Sequence, residues 1–319
     1  MKILFTSVGR RVELMQAFRK AADELGVSLT IIGADITASA PALFFCDETK
    51  IVCRIKEPGY IPQLLEICKV ENVDCLIPTI DTDLLLLAEN KEKFEKIGTK
   101  VLISAVDKVK LCRDKRYTAD YFMSVGLKSP VPVDDVAKYN LGYPAFIKPK
   151  DGSSSIDAYK VNSAEELEEY AKKVNDYIVQ PFISGREFTI DIFCNYEGNP
   201  VYITPRERLA VRAGEVLRTR IHQDDTMIQE MLTLIADYKP CGQITVQLIQ
   251  DNVTGDNYYI EINPRFGGGA PLSIKAGADS AKAVIRMLSG EKLEYLPKAA
   301  RNKAVYSRFD QSICVDEGI

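Results

Sequence analysis

Between Lys2 and Ser104 the chain repeatedly exchanges a short apolar run for a stretch of helical spacing, and this alternation restricts the fold more than any other feature. The run Lys2-Ile3-Leu4-Phe5-Thr6-Ser7-Val8 breaks at Gly9, after which Val12, Leu14, Met15, Phe18, Ala22 and Leu25 share one helical face. Residues 28–34 give a second strand ending at Asp35, residues 60–70 an amphipathic helix, residues 73–78 a buried strand, residues 82–97 a helix and residues 101–104 a last strand. Strands alternating with helices predict a parallel sheet covered by helices, which presents its strand C-termini to ligands. The first turn, Ser7-Val8-Gly9-Arg10-Arg11-Val12, holds one glycine where a dinucleotide fingerprint needs three, which argues against a nicotinamide or flavin site. Arg10, Arg11, Asp35, Asp81 and Asp83 fall at predicted strand ends, where a second substrate could be gripped; a solvated loop charge is the simpler reading of each.

Composition narrows the class. Acidic residues number 45 against 41 basic, a formal charge of −4, which argues against a general nucleic-acid binder and leaves room for a local basic cleft. The 319 residues allow two or three domains with their own cores. His222 is the single histidine, so a histidine triad or histidine-ligated zinc site is almost excluded, and acid–base work falls to carboxylates, lysines or tyrosines. The eight cysteines form no C-x-x-C pair and sit mostly in apolar runs, as small core residues of a reducing compartment do. No signal-like segment or membrane-length apolar run is present, so a cytoplasmic protein without membrane or nucleic-acid partners is expected.

Beyond Asp107 the period changes. A helix is predicted over residues 107–123, ended by Gly126, and Ser129-Pro130-Val131-Pro132 reads as a hinge. The strand through Phe146, Ile147, Lys148, Pro149 and Lys150 carries two lysines on one face. Asp151-Gly152-Ser153-Ser154-Ser155-Ile156 then suits a flap whose N–H groups fold over phosphates, or an ordinary surface hairpin. Ser163-Ala164-Glu165-Glu166 is a capping box, and Val179-Gln180-Pro181-Phe182-Ile183 a strand. Residues 186–193 alternate Glu187, Thr189 and Asp191 with Phe188, Ile190 and Ile192. The stretch 205–220 then crowds Arg206, Arg208, Arg212, Arg218 and Arg220, which calls for neighbouring acids or an anionic ligand.

Residues 243–249 and 258–263 are alternating strands joined by a turn-rich loop. An antiparallel hairpin centred near Thr254 pairs Gln247 with Glu261 and Thr245 with Asn263, while Ile260 and Ile262 face the core. Gln247, Glu261 and Asn263 then offer oxygen ligands with few charges, which favours Mg²⁺ (Mn²⁺ being the alternative) completed by substrate phosphates. Arg265, just beyond, adds a fork suited to phosphate, and Gly267-Gly268-Gly269 follows.

Lys115, the 146–150 strand, the 151–155 loop, residues 179–183, Glu187, residues 242–247 and Glu261-Ile262-Asn263-Pro264-Arg265 come in an order that resembles the ATP-grasp superfamily, its carbamoyl-phosphate-synthase-like members above all. The resemblance implies an α/β and α+β chain: a Rossmann-like pre-ATP-grasp domain over residues 1–106, then an ATP-grasp domain over 107–319. Its small lobe would run over about 113–182 and its large lobe over about 183–319. It further implies that Lys115 and Lys148 meet the ATP phosphates, with Lys150, Ser153, Ser154 and Ser155 beside them. Gln180, Pro181, Phe182 and Ile183 would line the adenine and Glu187 would hold the ribose. Gln247, Glu261 and Asn263 would ligate the metal, and Arg265, with Lys148, would steady the transferred phosphoryl group. The loop has one glycine and three serines where the family is usually richer in glycine.

The reaction so implied is ATP-dependent ligation of a small-molecule carboxylate to an amine through an acyl phosphate. Arg208, Arg212, Arg220 and Gly268 are the expected contacts of the carboxylate. Phosphorylation of bicarbonate or carbamate is the alternative reaction, and a non-catalytic ATP-binding regulatory protein the alternative class. Apolar helices would permit a homodimer.

Overall fold

The computed structural model describes residues 1–151 and 157–315. The first part is the alternating layer the sequence predicts: β1 (Lys2–Thr6), α1 (Val12–Leu25), β2 (Thr30–Asp35), β3 (Glu48–Ile51), α2 (Tyr60–Glu71), β4 (Cys75–Pro78), α3 (Leu84–Lys96) and β5 (Lys100–Val101). The strands form a parallel sheet in the order β3-β2-β1-β4-β5. β3 is the element the sequence did not announce, because its residues alternate between half-buried and exposed on an edge.

The predicted helix over 107–123 is two helices, α4 (Val106–Arg113) and α5 (Lys115–Ser124). Asp114 between them is extended, at φ −109° and ψ 119°, and its carboxylate accepts the Arg116 N–H as an N-cap. That break puts Lys115 at the first position of a new helix. A small antiparallel sheet follows, β7-β6-β8, from β6 (Ala145–Pro149), β7 (Tyr159–Val161) and β8 (Tyr177–Pro181), with α6 (Ala164–Ala171) packed on it. Ala145, Ile147 and Val179 face α6; Phe146, Lys148 and Gln180, by alternation, face the other way.

The large antiparallel sheet has the order β13-β12-β9-β10-β11-β14, from β9 (Gly185–Cys194), β10 (Pro200–Arg212), β11 (Glu215–Ile221), β12 (Gly242–Asp251), β13 (Asn257–Asn263) and β14 (Val305–Ser307). The arginine-rich stretch is therefore the β10–β11 hairpin, turned at Ala213 and Gly214, both at positive φ (48° and 77°), as a two-residue turn requires. α7 (Asp225–Tyr238) covers one face, with Met227, Met231, Leu234 and Ile235 in the core. α8 (Ala270–Ala276) and α9 (Ser280–Leu288) pack on α1, so residues such as Phe18, Phe266, Val284 and Ile285 belong to one apolar cluster. The parallel sheet is thereby fixed against the end of the chain.

Candidate active site between the sheets

The hairpin register is as the sequence predicts. Gln247 pairs with Glu261 and Thr245 with Asn263, and on the other side of β12 the same residues pair with Thr189 and Asp191 of β9. Arg206 of β10 lies beside Thr189 in turn. Glu261, Gln247, Thr189 and Arg206 thus form one polar row across four strands, with Asn263, Thr245, Asp191 and Thr204 in the next. The apolar side departs from expectation. Ile260 is an extra residue, because Leu248 pairs with Tyr259, so this β-bulge puts Tyr259 and Ile262 in the core and leaves Ile260 outside it.

Across the cleft stand the two lysines. Lys148 is 7% exposed, and burial together with the charge of Lys115 pushes its ammonium down to about 8, partly offset by Glu261. Burial likewise lowers Lys115, and Glu261 is the main opposing charge. Arg208 is also lowered by burial, against the favourable charges of Glu187 and Glu261. One carboxylate thus faces three cations, from the start of α5, the small sheet and the large sheet. Asn263 Nδ2 donates to Glu261 Oε1 (2.9 Å), Arg265 Nη2 donates to Asn263 Oδ1 (3.2 Å), and the same Nη2 donates to Asp81 Oδ2 of the β4–α3 turn (2.6 Å).

Below the glycine triplet lies a buried ion pair absent from the sequence reading. Arg206 is 2% exposed and donates from Nε to Asp191 Oδ2 (2.7 Å), which also accepts from Ser273 Oγ (2.6 Å); Asp191 Oδ1 accepts from Thr245 Oγ1 (3.2 Å). Thr204 and Asp191 could have been read as inward from period two; that Arg206 would pair inside rather than meet a ligand had no signal in the sequence. A Cβ at Gly269 would overlap the Arg206 guanidinium, so glycine is required where the chain passes over it. At Gly268 a Cβ would stand 2.7 Å from Arg11 Nη1 and 3.3 Å from Glu215 Oε1, which brings the first loop of the parallel sheet to the same place.

The structure separates the remaining sequence candidates. Gln180 is buried on the Lys148 face, and Phe182 lies 6.2 Å from Phe146 with Lys160 Nζ 4.4 Å from its ring centre. Pro181 pairs with Ala145 and so lies on the α6 side, and Ile183 follows in the link to β9. Glu187 is held by Arg208, 3.3 Å apart. Lys150 does not share the Lys148 face: it follows the last residue of β6, where alternation ends, and its Nζ lies 3.0 Å from Asp176. Arg220 pairs with Glu207, the residue between Arg206 and Arg208, and therefore lies on the opposite face of the sheet from the cleft. Arg212 sits at the exposed hairpin tip against Asp310 (3.0 Å). Neither arginine converges on the lysines. Ser153, Ser154 and Ser155 lie outside the described residues.

Among the described residues no group of three His, Cys, Asp or Glu side chains could hold a metal by itself. Gln247, Glu261 and Asn263 supply a single carboxylate, which suits a hard cation that brings phosphate oxygens with it. Among those residues, too, no helix is long and apolar enough to cross a membrane.

Comparison with known proteins agrees with this geometry. Residues 3–102 match the PylC-like N-terminal domain, and residues 112–269 match the ATP-grasp domain. The chain belongs to the ATP-grasp superfamily. Carbamoyl-phosphate synthase of Methanobrevibacter smithii is 24% identical over 70% of this chain and 68% of its own length. A D-alanine–D-alanine ligase of Francisella philomiragia is 25% identical over 53% of this chain and 62% of its own. This ATP-grasp chain spans only 29% of the carbamoyl phosphate synthase large chain of Thermotoga neapolitana, at 23% identity over 92% of its own length. In fold it is similar to the biotin carboxylase domain of Hydrogenobacter thermophilus 2-oxoglutarate carboxylase, whose structure holds MgADP and bicarbonate, with a TM-score of 0.75 and 18% identity over 95% of this chain and 73% of that one.

Proposed function

We propose that the chain is a Mg-ATP-dependent carboxylate–amine ligase. The observation that carries this reading is the position of Glu261, which acts on Lys115 and Lys148 across the cleft and is linked through Asn263 to Arg265. Lys115 and Lys148 would neutralise the polyphosphate, Phe146, Gln180 and Phe182 would enclose the base, and Glu187 would hold the ribose; the shared face of Phe146 and Gln180 and the nearness of Phe182 support this reading. Gln247, Glu261 and Asn263 would hold Mg²⁺, for which Mn²⁺ could substitute, and the metal would neutralise phosphate charge. In the first step a carboxylate oxygen of the substrate attacks the γ-phosphorus and the bond to ADP breaks. Arg265, planar and anchored at both Asp81 and Asn263, stabilises the charge on the transferring group. In the second step the amine attacks the acyl carbon, the C–O bond to phosphate breaks, and the amine proton leaves with phosphate or solvent.

The domains we assign, 1–106 and 107–319, follow the change from the parallel sheet to the antiparallel ones. The measurement that tests the function is ADP release over pairs of carboxylates and amines. Glu261→Gln combined with Asn263→Ala should abolish it, and activity near wild type would sink the metal assignment. Similarity to carbamoyl-phosphate synthase favours a second reading, phosphorylation of bicarbonate. Bicarbonate-stimulated ADP release without any amine would select it.

A further inference from the structure

Where the parallel sheet meets the glycine triplet, a second set of charges surrounds Arg11, apart from those that face the lysines. Its guanidinium is 21% exposed and lies against Gly268, with Nη2 donating to the Thr79 carbonyl (3.3 Å) and Nη1 3.9 Å from Glu215 Oε1. Burial lowers it most, and the charges that act on it are Arg265 and Arg308 against Glu215 and Asp81. Neither carboxylate belongs to Arg11 alone. Glu215 is shared with Arg308 (3.2 Å), and Asp81 is bound by Arg265 (2.6 Å). The same pattern continues outward: Glu13 is shared by Arg308 and Lys275, and Asp310 by Arg10 and Arg212. Among the described residues this rim therefore carries more cations than carboxylates, and Arg11, the most buried of those without a close ion pair, holds its charge at a cost that an anionic ligand would relieve.

We propose that Arg11 binds a carboxylate on the amine substrate, so that the acceptor is an amino acid rather than a simple amine. This rests on the ligase reading above. The phosphorylated carboxylate belongs beside Arg265, and Arg11, next to it across Gly268, takes the second anionic group. The nucleophilic amine, on the same molecule, is thereby held toward the acyl carbon. Recognition of this kind is charge-assisted and worth about tenfold to hundredfold in affinity.

The test uses the full chain with Mg-ATP, a carboxylate panel, and the common α-amino acids beside their α-amides, which keep the amine and lose the anion. ADP release should favour amino acids over amides by at least about tenfold, and Arg11→Gln should erase that preference while leaving the KM for ATP within a few fold. Arg11→Lys should restore part of it. Calorimetry of the same amino acids on the Mg-ADP-loaded protein gives a readout that needs no turnover, with binding weakened about tenfold or more in Arg11→Gln. Equal use of amides and amino acids by the wild-type protein, or a preference and an affinity unchanged in Arg11→Gln, would overturn the proposal. An absence of ADP release from every pair counts against the ligase reading, and the calorimetric comparison still decides the role of Arg11.

Discussion

Asp81 Oδ2 accepts a 2.6 Å hydrogen bond from Arg265 Nη2, and this contact ties the parallel sheet to the strand that carries Glu261 and Asn263. The Asp81 carboxylate acts on the site through the guanidinium it binds, that of Arg265, and its charge also favours that of Arg11. Asp81→Asn should lower kcat by about tenfold to a hundredfold with little change in the KM for ATP, because the guanidinium loses its charged anchor and not its charge. Asp81→Glu should recover part of the loss. Steady-state kinetics that show the KM for ATP rising while kcat holds would contradict this.

Burial and the charge of Lys115 push the Lys148 ammonium down to about 8. A bound polyphosphate favours the charged form, so nucleotide binding should draw a proton from solution just above that pH. Binding heats measured in buffers of different ionisation enthalpy will show the uptake, and Lys148→Met should remove it. Without nucleotide the sign for stability is positive. The unfolded chain binds the Lys148 proton more tightly than the folded one, so stability rises from pH about 8 toward the ordinary lysine range of 10.5.

Asp83 is wholly buried at the end of β1, accepting from Thr6 Oγ1 (2.8 Å) and Tyr60 OH (3.1 Å), and burial raises it to about 6. Its folded value exceeds its unfolded one, so the protonated form stabilises the fold below about pH 4, and that contribution is lost as pH rises through about 6. Asp83→Asn keeps both acceptor contacts and removes the titration. Urea unfolding of this variant should be flatter across that window and no less stable at neutral pH. A wild-type slope retained in the variant would exclude Asp83 as its source.

The Arg206–Asp191 pair should behave as a buried ion pair whose halves cannot be removed singly. Asp191→Ala leaves the guanidinium without its counter-charge and should cost about 3–5 kcal/mol in unfolding free energy. Gly269→Ala attacks the same place from outside by forcing a Cβ into that guanidinium. Both should shift the denaturation midpoint, whereas Gly268→Ala, which meets the far end of the Arg11 side chain, should act mainly on the KM of the non-nucleotide substrate.

Much of the site could be read before the structure because period two is strict where both faces of a strand are committed. Gln247 and Glu261 found each other through a loop whose turn residues fixed its centre. The bulge at Ile260 could not be read, since Tyr258, Tyr259 and Ile260 are all large and apolar and an added residue leaves no mark in composition. Lys150 and Arg220 were misplaced for a shared reason: alternation holds only inside a strand and only once its partner is known. Lys150 lies past the end of β6, and Arg220 follows a turn at Ala213-Gly214 that the crowded arginines concealed. The helical period runs on unbroken across Asp114, so residues 107–123 read as one helix, and the N-cap that divides α4 from α5 shows only in the structure. The partnership of Asp81 with Arg265 spans 184 residues and belongs to tertiary structure alone.

The segment that carries the small sheet is fastened to β13 at Tyr259, whose N–H donates to the Lys128 carbonyl (2.8 Å) and whose carbonyl accepts from Ser129 Oγ (2.8 Å). Glu261 lies just past the bulge from that anchor. The link into the small sheet, which carries Lys148, and the strand that presents Glu261 are therefore joined at one point of attachment. A small sheet transplanted from a relative would arrive with that attachment mismatched unless residues 257–263 travelled with it.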